Sequence, residues 1–294
     1  PAIWRNAADP AQSLIVATDK KAGLYVYGLD GKVRSFEPSG LLNNVDLLDL
    51  GDRGILVAAS DRNDIAAAKI RLYRLDPASA RLAPLGAVPG GAGEGYGICL
   101  ARGPEGTIDV FSVLKQGMIE HVRVTLSGSA VSGSTLRRLS VPSQPEGCVV
   151  DERTSTLFVG EELVGIWKFD SRADRPVIGT LVARVGPHLV ADVEGLALAP
   201  EGDGGGLLVA SSQGDNAYAL FRLPAMEPAG RFRIAAGSFG STEETDGIAL
   251  ALGDFGPEYA GGLFVAQDGD NAPAAQNFKL VSWADVLEAV QRSR

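Results

Sequence analysis

Oxygen-bearing side chains recur directly before a glycine at a nearly constant interval. The four pairs begin at Tyr96, Glu146, Glu194 and Asp246, so successive pairs lie 50, 48 and 52 residues apart. Carboxylate and phenol oxygens suit hard divalent cations, and no cysteine or histidine spacing typical of zinc accompanies them. The pattern predicts a calcium or magnesium site, and its oxygen-rich, flexible ligand set favours calcium.

Short apolar segments follow these positions and indicate β-strands. The second-strand segments are Ile15–Ala17, Leu56–Ala58, Val110–Ser112, Leu157–Val159, Leu208–Ala210 and Phe264–Ala266. Alternating segments typical of a third strand follow at Leu24–Tyr27, Ile70–Tyr73, Gly165–Lys168 and Ala217–Leu220. Looser copies of the first-strand motif at Val45–Leu47 and Pro1–Trp4 complete six repeats.

A single meander cannot bury both of its faces, so repeats of this length stack radially around a channel. The sequence therefore predicts an all-β fold, a six-bladed β-propeller formed by residues 1–294 as one domain. An open β-sandwich of unrelated hairpins is the alternative, but it does not explain a motif at constant spacing. A short C-terminal helix is expected from Ser282, with Asp285 as capping partner and an apolar face of Val286, Leu287 and Val290.

Equivalent turns of different blades lie at one end of a propeller, so the turns after the second strands can be compared. They are Asp19–Lys21, Asp61–Asn63, Lys115–Gln116, Glu161–Glu162, Gln213–Asn216 and Asp268–Asn271. The first three supply cations, whereas the last three supply mainly acids and amides. Any single charged turn is most simply explained as a solvated surface, and the division between blades is what favours a site.

The first-strand motifs add further acids to the same end if they open onto it. Asp192 and Glu194 are two residues apart, which places both on one side of a strand. We expect a half-ring of Tyr96, Glu146, Asp192, Glu194 and Asp246 to face a cation row formed by Lys20, Lys21, Arg62 and Lys115. Metal-bound carboxylates beside Lys and Arg are typical of a site for a polyanion such as phosphate.

Composition limits the other possibilities. A formal net charge of −9 argues against nucleic acid as a partner, and no apolar run is long enough to cross a membrane. Cys99 and Cys148 suggest neither a disulfide framework nor a zinc site, and we interpret them as small buried side chains. His121 and His188 stand alone and are interpreted as structural.

Several motifs together resemble the β-propeller phytases, secreted bacterial enzymes that hydrolyse myo-inositol hexakisphosphate and need calcium. The resemblance covers residues from Pro1 to about Trp283. The motifs that carry it are Pro1–Trp4, Thr18–Leu24, Leu42–Asp46, Asp192–Leu196, Ala210–Gly214, Phe264–Gly269 and Gln276–Lys279.

The resemblance implies roles for individual residues. The cation row would hold substrate phosphates, and Tyr96, Glu146, Asp192 and Glu194 would be catalytic. Several calcium ions would be held by Tyr96, Glu146, Glu162, Asp192, Glu194, Asp246, Asp268 and Asp270. The implied mechanism is attack of a calcium-bound water on phosphorus without a phosphoenzyme, in a secreted or periplasmic protein that we expect to be a monomer.

The sequence also departs from this family. Family members carry two aspartates directly before the Pro-Ala-Ile-Trp motif, which here starts the sequence, and an Asp-Gly-Thr-Ser loop where this chain has Phe239–Thr242. Asp270 stands where the family usually has glutamate. The alternative hypothesis is therefore a calcium-stabilised propeller that binds polyphosphorylated anions with little turnover. A lactonase-like propeller hydrolase is a weaker alternative, because it has no use for the cation row.

Overall fold

Antiparallel meanders follow one another along the chain in the computed structural model, which describes residues 1–128 and 130–292. Within these residues there are six sheets, and the strands of each sheet pair in chain order. The first three sheets comprise β1 (Ala2–Trp4), β2 (Leu14–Asp19), β3 (Gly23–Gly28) and β4 (Val33–Pro38); β5 (Leu42–Asp49), β6 (Ile55–Asp61), β7 (Ala67–Asp76) and β8 (Arg81–Ala92); β9 (Gly95–Arg102), β10 (Ile108–Leu114), β11 (Met118–Ser127) and β12 (Ala130–Ser140).

The second half of the chain repeats the arrangement with a shorter last sheet. These sheets comprise β13 (Pro145–Asp151), β14 (Thr156–Glu161), β15 (Gly165–Asp170) and β16 (Thr180–Arg184); β17 (Val193–Glu201), β18 (Gly205–Ser212), β19 (Ala217–Leu223) and β20 (Glu227–Phe232); β21 (Ile248–Ala251), β22 (Leu263–Asp268) and β23 (Asn277–Ser282). The described helices are α1 (Trp283–Arg292) and short 3₁₀ turns at Pro10–Gln12, Gly51–Arg53, Pro104–Gly106, Gln213–Asp215 and Pro257–Tyr259.

The first strands of the sheets form a closed ring. Each of them contacts the first strand of the next sheet, and β1 completes the circle by contacting both β5 and β21. This arrangement is a six-bladed β-propeller with a C-terminal helix, so the predicted fold is confirmed. No described helix has the length and apolar character needed to cross a membrane.

The second strand is an inner strand of each sheet, and the neighbouring sheets cover both of its faces. All six predicted second-strand segments fall within β2, β6, β10, β14, β18 and β22. Each contains a valine with no solvent exposure: Val16, Val57, Val110, Val159, Val209 and Val265. Burial on both faces explains why these segments are continuous apolar runs instead of alternating ones.

The recurring glycines allow the first strands to approach each other closely. A Cβ at the glycine of the first three pairs would lie 1.9, 2.1 and 2.7 Å from a carbonyl oxygen of the next pair; these contacts join Gly97 to Glu146, Gly147 to Glu194 and Gly195 to Asp246. Real Cβ atoms do not come this close to an oxygen, so any larger residue would push the blades apart. The motif therefore reflects packing between blades as well as chemistry.

The C-terminal helix covers the edge of the last blade. The sixth sheet has only three strands, and α1 packs against β23 and against β20 of the fifth sheet. Ser282 Oγ accepts a hydrogen bond from the backbone N–H of Asp285 at 3.3 Å, as the predicted cap requires. Val286 and Val290 are buried, and Leu287 packs beside them.

The two cysteines form a disulfide, so the prediction that they are separate small buried side chains was wrong. Cys99 lies on β9 and Cys148 on β13, and their Cα atoms are 5.8 Å apart. Their separation of 49 residues is nearly one repeat. Because β9 and β13 are adjacent first strands in the ring, nearly equivalent positions of two blades come face to face there.

Candidate metal and phosphate site

Strand register brings the first-strand motifs and the second-strand turns to the same end of the propeller. In three blades the last residue of the second strand pairs with the start of the first strand. These pairs are Leu114 with Gly95, Glu161 with Pro145 and Ser212 with Val193. In each of these blades the register shifts within the first strand, between the strand's start and its regular part. Tyr96, Glu146 and Glu194 therefore lie at irregular, bulged positions, where strand alternation no longer decides which way a side chain points.

Three glutamates converge at this end and form what we call the carboxylate cluster: Glu146, Glu162 and Glu194. One carboxylate oxygen from each lies within 4.8 Å of those of the other two. Glu146 comes from the start of β13, Glu162 from the turn after β14, and Glu194 from the start of β17. Glu146 and Glu194 are buried, whereas Glu162 is half-buried.

The cluster carries a strong electrostatic cost. Burial first, and then the neighbouring carboxylate of Glu146, raise the pKa of Glu194 well above its usual range. Burial also raises the pKa of Glu162, and the charges of Glu146 and Asp192 act in the same direction. One oxygen of Glu194, Oε2, is buried without a hydrogen-bond partner. Crowded, under-satisfied carboxylate oxygens fit a hard cation such as calcium, so the residues present suit the predicted metal.

Tyr96 borders the cluster. Burial, followed by the charges of Glu146 and Glu162, raises the pKa of its hydroxyl, so the phenol stays neutral. Lys115 of the cation row lies over the ring, with Nζ 5.1 Å from its centroid. Gln144 donates to the Tyr96 hydroxyl at 3.3 Å and also to Glu162. Tyr96 thus joins the cation row to the carboxylates.

Asp246 forms the other side of the acidic region and is paired with Lys20. Lys20 Nζ donates to Asp246 Oδ2 and lies 3.8 Å from Glu146 Oε1. Burial opposes the charge on Lys20, but the surrounding carboxylates outweigh it and raise the pKa of Lys20. The cations and carboxylates are therefore not fully segregated, because Lys20 of the first blade reaches the acids of the fourth and sixth.

The remaining predicted ligands are placed differently. Asp192 lies one residue before β17, and its charge reaches Glu162. Asp268 is buried and accepts hydrogen bonds from Lys279 Nζ at 2.7 Å and from the backbone N–H of Glu243 at 3.1 Å. Asp270 is exposed and accepts a hydrogen bond from the backbone N–H of Ala272. Neither Asp268 nor Asp270 joins the carboxylate cluster.

A cavity of about 460 Å³ opens beside the acids. Lys20, Lys21 and Arg62 line it together with Glu146 and Asp246. Lys21 is exposed, and Arg62 forms an ion pair of 3.3 Å with Glu94. Three of the four cation-row residues are therefore brought to one cavity, whereas Lys115 lies over the ring of Tyr96.

Side-chain amides support the acids, and sequence reasoning assigned them no role. Asn43 donates to Glu146 at 2.9 Å, Gln144 donates to Glu162, and Gln213 donates to Asp246 at 2.7 Å. Asn43 and Gln213 do fall within motifs that the sequence singled out. Gln144 directly precedes the Pro145–Glu146 pair, and no sequence pattern distinguishes it.

Both histidines pack against neighbouring residues of the fold. His121 is fully buried, stacks on Phe111 with ring centroids 4.3 Å apart, and lies 3.3 Å from Asp109. His188 Nε2 lies 3.0 Å from the carbonyl oxygen of Leu220. These contacts agree with the structural roles expected for both residues.

The fold and the site define a six-bladed β-propeller with a cluster of carboxylates and cations at one end of its ring of first strands. The phytase family model matches residues 1–293, and the chain belongs to this family. It is 36% identical to the 3-phytase of Bacillus subtilis (strain 168) over 304 aligned positions, which cover 98% of this chain and 80% of the relative. The assignment as a phytase, expected from the motifs, is confirmed.

A solved structure shares the fold alone. A chain in the crystal structure of a mitotic checkpoint complex aligns with a TM-score of 0.54 and 12% sequence identity. The alignment covers 94% of this chain and 74% of the other. At this identity the likeness concerns propeller architecture and carries nothing about activity.

Proposed function

We propose that this chain is a calcium-dependent phosphomonoesterase that hydrolyses phytate, myo-inositol hexakisphosphate, to lower inositol phosphates and inorganic phosphate. The observation that supports this most directly is the carboxylate cluster, with its unpartnered buried oxygen, beside a cavity that Lys20, Lys21 and Arg62 line. Membership of the phytase family supports the substrate class.

Glu146, Glu162, Glu194, Tyr96 and Asp246 would hold the metal ions, with Asp192 as a neighbouring ligand. Calcium, when bound, would neutralise phosphoryl oxygens and activate a water for attack on phosphorus. Asp268 and Asp270 lie apart from the cluster, and their role at a further calcium site remains a prediction.

The cations of the chain would bind and orient the substrate. Arg62 offers a planar fork of N–H donors to a phosphate, and Lys21 offers a mobile ammonium group. Lys20 lines the cavity beside Glu146 and Asp246, and Lys115 lies over the ring of Tyr96. Both cations are therefore close to residues that would hold the metal. Cations fixed around a phosphate stabilise the charge that develops during transfer.

The disulfide supports a secreted or periplasmic location, because such bonds form and persist in oxidising compartments. We propose this location, and a monomeric state, for the chain. The proposed substrate is a small phosphorylated molecule, with no part for nucleic acid or a membrane.

Phosphate release from phytate, titrated with calcium, tests the proposal. We expect no release in a calcium chelator and a rise in rate as calcium is added. Phytate binding in calorimetry without phosphate release at any calcium concentration would contradict it and would favour the anion-binding alternative.

A further inference from the structure

Asn43 lies beneath the site at the start of β5 and bonds to two residues that carry site chemistry. Its Nδ2 donates to Glu146 Oε1 at 2.9 Å and to the backbone carbonyl of Tyr96 at 3.0 Å. The side chain is buried, with 2% relative exposure. One amide from the second blade thus joins a glutamate of the fourth blade to the tyrosine of the third.

The amide can take only one orientation. Both partners of the nitrogen are acceptors, so the N–H groups must face them and Oδ1 is left facing elsewhere. Oδ1 is buried and has no hydrogen-bond partner, like Oε2 of Glu194. Asn43 also lines the cavity that holds Lys20, Arg62 and Glu146. A buried, unpartnered oxygen of this kind is expected to meet a ligand of the site.

The chemistry of an amide suits this position. A lysine or arginine would also fix the carboxylate of Glu146, but its charge would compete with a divalent cation for the same oxygens. A neutral N–H donor orients the carboxylate and leaves its full charge available to the metal. Lys20 pairs directly with Asp246, whereas its Nζ lies 3.8 Å from Glu146 Oε1, beyond hydrogen-bond distance. The hydrogen bond that this oxygen accepts comes from the neutral amide of Asn43.

We infer that Asn43 is a positioning residue: its amide orients the Glu146 carboxylate for cation binding. The inference rests on the proposed function for the identity of the cation. Its core, the support of Glu146 by a neutral donor, depends on the contacts alone.

Truncation of Asn43 is a specific probe. Ser60 Oγ also donates to the Tyr96 carbonyl, at 2.6 Å, so this carbonyl keeps a partner when Asn43 is removed. In Asn43→Ala, Glu146 therefore loses a donor while the contact to the third blade persists. Asn6→Ala is the control, since the Asn6 side chain accepts from the backbone N–H groups of Ala8 and Asp9 and does not line the cavity.

The test combines calcium binding by calorimetry with phosphate-release kinetics on the full chain. For Asn43→Ala we expect calcium affinity and kcat to fall about 10- to 100-fold, as for other residues that support metal ligands. Asn6→Ala should match the unmodified protein in calcium affinity and kcat, and melting in chelator shows whether each variant is folded. Asn43→Ser, which stays polar but is too short to reach Glu146, replaces the alanine variant if that chain does not fold.

The outcomes separate the two proposals. Equal calcium affinity for Asn43→Ala and Asn6→Ala would overturn the positioning role, whatever the activity. If Asn43→Ala weakens calcium binding but the unmodified chain releases no phosphate from phytate, the positioning role stands and the proposed function fails.

Discussion

The carboxylate cluster and the cation row differ in how the fold holds them. The side chain of Glu146 is 2% exposed, compared with 31% for Lys20 and 22% for Arg62. Two of the three glutamates sit on first strands that are locked by close glycine contacts between blades, whereas the cations project from turns. The acidic side is thus fixed by contacts between blades, whereas the cationic side comes from turns and is more exposed.

This difference predicts that the two sides control different kinetic parameters. Fixed groups around the reacting phosphate act mainly in the transition state and so affect kcat. On the proposed function, Lys21 and Arg62 contribute binding that is similar in the ground and transition states, so their loss raises KM.

The largest effect is expected for Glu194→Gln. The change keeps the shape of the side chain but removes a buried anionic ligand, so kcat should fall about 1,000-fold, or about 4 kcal/mol, as metal-based charge stabilisation is lost. Phosphate-release assays with phytate at saturating calcium measure this. Glu120→Gln is the matched control, because Glu120 is also a buried glutamate with an unpartnered oxygen but lies on β11. Equal losses of kcat in Glu194→Gln and Glu120→Gln would mean that the position of Glu194 in the carboxylate cluster has no special effect on catalysis.

A smaller effect is expected for Arg62→Gln. Loss of one charge-assisted contact to a substrate phosphate should raise KM about 10-fold and leave kcat nearly unchanged. Steady-state kinetics with phytate separate the two parameters. Arg102→Gln is the control, because Arg102 pairs with Glu152 in the same way but outside the cavity. A fall in kcat without a change in KM would place Arg62 on the fixed, catalytic side instead.

Much of the carboxylate cluster could be predicted from sequence, because blade packing and metal chemistry both require residues at the same spacing of about one blade. Gly97, Gly147 and Gly195 are needed for blade contact, so the acids before them recur at the blade spacing. The closed ring follows from that repeat. What failed was the assignment of cysteines, because only the ring shows that Cys99 and Cys148 occupy facing positions on neighbouring strands.

The sequence repeat does not predict which side chains bond to one another. Asp268 bonds to Lys279 because β22 and β23 pair with Asp268 opposite Asn277, two residues away from the lysine. That register depends on the length of the intervening loop. The support of Glu146 by Asn43 crosses 103 residues and two blades, and no local pattern records it.

The smallest effect concerns stability, and it tests whether the buried charges of the carboxylate cluster destabilise the folded chain. Glu194 has a raised pKa in the folded chain because of burial and the adjacent Glu146, whereas it has its ordinary value of about 4.3 when unfolded. The folded state therefore binds this proton more tightly, so its contribution to stability is full at low pH and is lost as pH rises above the unfolded value. Glutamine does not titrate.

In chelator, Glu194→Gln should therefore melt close to the unmodified chain at about pH 5 and a few degrees above it at about pH 8. Calorimetric melting at both pH values measures this difference, and Glu120→Gln provides the control. A gap that stays constant or narrows as pH rises would mean that the cluster is relieved by its neighbours, among them Lys20, and carries no net strain. A gap that widens as pH rises would show that the charge of Glu194, the residue expected to matter most for catalysis, destabilises the fold.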